Sequence, residues 1–194
     1  MIDSNSVFPD DAVPQWARRY TAGAARRHDR FVHLTRNLLP GMRNRRGRRT
    51  LAATVVISLD VVLIAAVISF WSIGWASIPL AAGLVVSLTA LMMLRIVTGS
   101  VGGAPADALD EIQLAQRNAA RAICYNLVIP MMLVVYAILI GLSMRETVSG
   151  DSLVAAAWLL IALVYSASCL PDVLISWWMA DPEPDDFPLD DLPR

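Results

Sequence analysis

Four stretches of this chain are almost wholly apolar: residues 51–71, 77–97, 123–143 and 152–174. None alternates apolar and polar positions as a barrel strand must, so each is predicted to be a helix. At 1.5 Å of rise per residue, about 20 residues cross ~30 Å of hydrocarbon, and lipid offers no partner to open backbone groups. The pattern therefore predicts an all-α integral membrane protein. The break around Ile73–Ala76 is very short and so is the one at residues 144–151, so the spans should form two transmembrane hairpins in a four-helix bundle.

Outside the apolar runs the periodicity changes. In residues 16–38, Trp16, Tyr20, Ala24, Phe31, Leu34 and Leu38 recur at helical spacing among Arg18, Arg19, Arg26, Arg27 and Arg30, which predicts a basic amphipathic helix. Pro40-Gly41 ends it, and Arg43, Arg45, Arg46, Arg48 and Arg49 follow just before the first span. Between the hairpins, Asp107 is placed to cap a linker helix over 107–122, with Leu109, Ile112, Ala115, Ala119 and Ala122 on one face, continuing into the third span. The tail 179–194 holds six acids and four prolines and should be disordered. The chain thus divides into an Arg-rich arm (1–50), a four-span domain (51–178) and an acidic tail (179–194).

Composition sharpens this picture. Hydrophobic residues make up 56% of the chain and charged ones 17%, against about a quarter in a soluble domain. All sixteen basic residues are Arg, which reads first as the coding bias of a GC-rich genome. Eleven of them precede the first span, and only Arg145 lies in the two loops on the opposite side, so the positive-inside bias places both termini and the linker in the cytoplasm. Trp71, Trp75, Trp177 and Trp178 fall at span ends, where an indole suits the headgroup level. With roughly fifty residues ahead of the first apolar run, that run is expected to stay as an anchor and not to act as a cleaved leader.

At Leu109-Asp110-Glu111, Arg117-Asn118-Ala119 and Tyr125, and again at Leu170-Pro171, Val173 and Trp177 ahead of the acidic tail, the sequence resembles a group of uncharacterised small multi-pass actinobacterial membrane proteins. The resemblance covers roughly the C-terminal half and leaves out the Arg-rich arm. It implies a bacterial inner membrane and supplies no activity.

Charged and polar groups inside the spans are the functional pointers, because a charge at mid-helix costs ~2.5–3.5 kcal/mol on the insertion scale. The candidates are Asp60, Arg95, Asn126 and Asp172. Arg95 and Asp172 lie near the cytoplasmic ends of their spans and are each expected to snorkel to the headgroups. Asp60 is too deep for that and should be protonated, paired or in a wet crevice. Pro130 and Pro171 free the carbonyls of Asn126 and Ala167. Two readings of the surrounding polar residues stand: a cluster of Asp60, Asn126, Ser166, Ser168 and Asp172, or scattered packing and kink residues.

Cys124 and Cys169 have no CxxC spacing and read as small packing residues, and His28 and His33 lie in the basic arm. No HExxH, GxSxG or phosphate-cradling glycine loop occurs, so neither an enzyme nor a cofactor is expected. The arginines before the first span should contact anionic headgroups, at ~1 kcal/mol per charge near the surface. The arm also offers a docking site for a protein partner, homo-oligomerisation is open, and nucleic acid is not expected because no recognition module surrounds the arginines. These observations favour a non-enzymatic accessory or scaffolding component; the alternative is a small oligomeric ion or proton transporter built around Asp60.

Overall fold

The computed structural model describes residues 38–104, 109–145 and 147–179, together with Pro14, Gly23, residues 26–28 and residues 30–35. The expected cap at Asp107, the acidic tail beyond Met179, and Trp16, Arg18, Arg19, Tyr20 and Ala24 of the amphipathic arm lie outside the described residues. Among the described residues the protein is helical, with α1 (Arg45–Ile68), α2 (Ile73–Val97), α3 (Glu111–Ser143) and α4 (Gly150–Trp178). All four are long and apolar enough to cross a membrane.

The helix boundaries follow from local chemistry. α1 starts at Asn44, whose side-chain oxygen accepts from the Gly47 amide at 2.7 Å. A Cβ at Gly47 would lie 2.5 Å from the Met42 carbonyl oxygen, so glycine lets the 3-10 turn Pro40–Met42 press against the first turn of α1. α2 ends in a Schellman motif: Gly99 takes φ +63°, Ser100 donates to the Arg95 carbonyl at 2.7 Å, and Gly99 donates to Ile96 at 3.4 Å. α3 is capped by Asp110, which accepts from the Gln113 amide at 2.7 Å and also complements the helix dipole. Ser149 caps α4 in the same way through the Ser152 amide.

One boundary differs from the sequence reading, for a physical reason. The turn between α1 and α2 occupies residues 69–72 and not 73–76, because α2 tolerates Pro79 in its second turn and starts from Ser72 as its N-cap. The turn sets the register: Gly83 packs on Ser58 and Val62, so Asp60 lies level with about Gly83. The linker helix and third span are one helix of 33 residues, about 50 Å long. Its Ile112, Ala115, Ala119 and Ala122 face outward, and the buried face is Arg117, Ala120 and Cys124.

The core lies among three of the four helices. Leu51, Ala52, Val55 and Leu59 of α1 pack with Ala90, Leu91, Leu94 and Val97 of α2 and with Cys169 and Val173 of α4. Further along, Val62 and Ala66 meet Leu159 and Ala162. α1 packs most closely on α2 and α3 on α4, while α4 also lies against α1 and α2. α3 leans chiefly on α4, leaving most of its apolar surface facing outward. Cys124 and Cys169 are buried free thiols that fill space between helices.

Gly83 is the closest approach of α1 and α2, since a Cβ there would meet Val62 Cγ2 at 2.7 Å and the Ser58 carbonyl at 3.1 Å. Gly83→Val is expected to destabilise the protein by about 1–3 kcal/mol, read as a lower unfolding midpoint in detergent. Gly74→Ala, where nothing lies within 4 Å, should leave the midpoint in place.

Candidate functional site

Two of the charged residues inside the spans, Arg95 and Asp172, meet at the Arg-rich end. Arg95, in the last turn of α2, donates through Nε and Nη2 to Oδ2 of Asp172 on α4, both at 2.8 Å. Asp172 is buried, whereas the Arg95 side chain is 42% exposed. The two residues are therefore partners and do not snorkel separately. The pair bridges helices that are not consecutive in the chain.

A short loop covers this pair. The 3-10 turn Val101–Gly103 lies over Asp172 so closely that a Cβ on Gly102 would overlap Oδ1, which makes glycine a steric requirement there. Val101 packs with Ala120 of α3 and Ile175 of α4. Arginines from α3 then hold the loop by its carbonyls: Arg121 donates to Gly102 at 2.7 Å, and the buried Arg117 donates to Ala104. These carbonyls sit just past the end of α2, where backbone acceptors lack helical partners and a guanidinium supplies donors.

A second set of arginines ties down the start of α1. Arg48 is buried and donates to the Arg43 carbonyl at 3.3 Å and to the Met179 carbonyl, just past α4, at 3.0 Å. Arg49 stacks over the Trp177 ring, 4.8 Å from its centre, and Arg43 donates to the Thr35 carbonyl at 3.1 Å. Of the five arginines expected to contact anionic headgroups, Arg45 and Arg46 are exposed, Arg43 and Arg49 half-buried, and Arg48 is turned into the protein. In the preceding arm, Leu34 and Leu38 face outward and Thr35 is the buried residue.

No known protein family matches this chain, and neither a curated protein nor a solved structure is detectably similar to it. The site therefore has to be read from its own geometry.

The other candidates stand apart. Asp60 faces outward on α1, and with the observed register it lies about 18 Å along the helix axis from Arg95. Asn126 also faces outward on α3. Ser166 and Ser168 donate to Ala162 and Val164 of their own helix, both at 2.8 Å. The structure thus corrects the cluster of Asp60, Asn126, Ser166, Ser168 and Asp172: the helices turn its members to different sides.

One polar contact escaped the sequence reading. Ser87 on α2 and Tyr165 on α4 place their hydroxyls 3.1 Å apart, deeper in the bundle than the ion pair. The spacing carries a signal for it: Ser87 precedes Arg95 by eight residues and Tyr165 precedes Asp172 by seven, two turns each, as two rungs between parallel helices require.

The geometry predicts strong coupling between Arg95 and Asp172. A double-mutant cycle of Arg95→Met and Asp172→Asn, followed by thermal unfolding in detergent, should return a coupling of about 1–3 kcal/mol. Partial exposure of Arg95 keeps this below the cost of breaking a fully buried pair. Gly102→Ala should mimic the loss of the pair, because it displaces the Asp172 carboxylate without touching its charge.

Proposed function

We propose that this chain is a multi-pass protein of a bacterial inner membrane, with two transmembrane hairpins and with both termini and the central linker in the cytoplasm. In this reading it is a non-enzymatic accessory or scaffolding component. The observation that carries it is where the charges go. The inward-turned ones are committed to the chain itself: Arg95 to Asp172, Arg117 to the loop after α2, and Arg48 to the end of α4. The outward-turned Arg45 and Arg46 continue the basic arm and face away from the bundle.

A carrier needs a polar site near the bilayer midplane. At that level the helices meet through Val62, Ala66, Leu159 and Ala162, all apolar. Such a core suits a rigid platform more than a path for ions. The transport alternative keeps one observation in its favour, the outward position of Asp60, and it would require a path between copies. The inner-membrane assignment draws on the actinobacterial resemblance, and the orientation on the positive-inside bias. Anionic headgroups are the lipid partners proposed for Arg45 and Arg46.

Crosslinking in native membranes tests this, with the full chain compared against one lacking residues 1–42. A protein partner lost on truncation is the expected result. Self-crosslinks alone, unchanged by truncation, would sink the accessory reading and favour a homo-oligomer to be assayed for transport.

A further inference from the structure

Asp60 poses a problem that the chain does not solve for itself. It sits nine residues past Leu51, about 14 Å into the apolar part of α1 and close to half of a ~30 Å hydrocarbon layer. Its neighbours on the same outward face are Val56, Ile57, Val61 and Ile64, all exposed. No hydrogen bond or ion pair reaches its carboxylate among the described residues. Aspartate is too short to snorkel from that depth, and the nearest intramembrane cation, Arg95, is committed to Asp172 about 18 Å away along the axis.

Lipid is a poor occupant for such a face, since acyl chains offer neither a donor nor a positive charge. A second copy is a poor one too. Copies sharing a membrane have the same orientation, so residues meet their equals in depth, and Arg95 is the only basic residue in the four spans. A second copy would bring another Asp60 and no cation. What would pair with an ionised Asp60 is a cation at this depth, and that cation is supplied by another protein.

The surface beside Asp60 is shaped to receive a helix. A shallow groove of about 330 Å³ runs between α1 and α2, lined by Ile57, Ser58, Val61, Ala82, Gly83 and Val86. The exposed, small Ala82 on its wall lets an incoming backbone approach closely, as packing between membrane helices favours.

We propose that the Asp60 face of α1, with the groove at Gly83 beside it, docks a transmembrane helix of a different protein that carries a Lys or Arg level with Asp60. The assignment rests on the accessory reading and names the chemistry of one of its partners. The carboxylate and the cation neutralise each other out of water, and groove packing sets the depth at which they meet. Asp60 thereby selects a partner by the position of one charge.

The test uses the full chain in vesicles with a dye-labelled synthetic transmembrane helix of about twenty Leu and Ala residues carrying one central Lys, followed by energy transfer. Matched helices with a central Leu or a central Glu are the controls. The Lys helix should bind on the order of tenfold more tightly than the Leu helix, and the Glu helix no better than it. Asp60→Asn should erase the preference and Asp60→Glu should retain it, with circular dichroism reporting that both variants keep their helices. Equal binding of the Lys and Leu helices, or a preference that survives Asp60→Asn, overturns the proposal. So does self-association of the chain that depends on Asp60, which would make a second copy the occupant. None of these results bears on the arm: a partner lost on removal of residues 1–42 would still stand for the accessory reading.

Discussion

Taking a carboxylate out of water costs several kcal/mol unless an opposite charge and hydrogen-bond donors replace the solvent it loses. Asp172 meets that condition because Arg95 reaches it from α2 with two donors on one oxygen. Much else is arranged around this contact. The loop after α2 turns back over the pair, glycine at 102 makes room for the carboxylate, and α3 holds the loop from its far side through Arg117 and Arg121. The pair also joins segments far apart in the chain, since it fastens the second helix to the fourth while the first and second are already held by their tight turn. Ser87 and Tyr165 repeat that link two turns deeper with neutral groups.

The arginines at the start of α1 raise a separate question of electrostatics. Arg45, Arg46, Arg48 and Arg49 occupy the end of a helix where the backbone dipole is already positive, which disfavours cations. Two of them are compensated by acceptors and by a ring: Arg48 by the carbonyls of Arg43 and Met179, Arg49 by Trp177. A planar guanidinium can serve two carbonyls in different directions, which a lysine ammonium does less well. The absence of lysine thus has a geometric use at Arg48, beyond the coding bias inferred from composition.

The helices themselves were legible because length and continuous hydrophobicity are properties of single segments. Their mutual arrangement was less so. The apolar run continues through Phe70 and Trp71, so hydropathy hides the turn at 69–72. The position of that turn fixes the register of α1 on α2, and with it the level of Asp60. Arg95 and Asp172 were picked out singly as intramembrane charges but not as partners, because reasoning from hairpins compares only consecutive helices. On α3, periodicity grouped the alanine-rich residues on one face without saying which face the bundle buries. The buried face carries Arg117, whose reason to be inside is a loop carbonyl that no periodicity reveals. Asp60 was recognised as anomalous from depth alone; that it faces outward took the packing of α1 on α2 to see.

In the membrane proposed for this chain, the parallel bond between α2 and α4 also bears on biogenesis. α2 leaves the ribosome 77 residues ahead of α4, and its arginine ends near the headgroups whether or not its partner exists. The acid on α4 therefore arrives second, at a hairpin already presenting its counter-charge at the right level. Synthesis in this direction spares Asp172 any period alone in the bilayer, an order that a chain with the two residues exchanged would not enjoy.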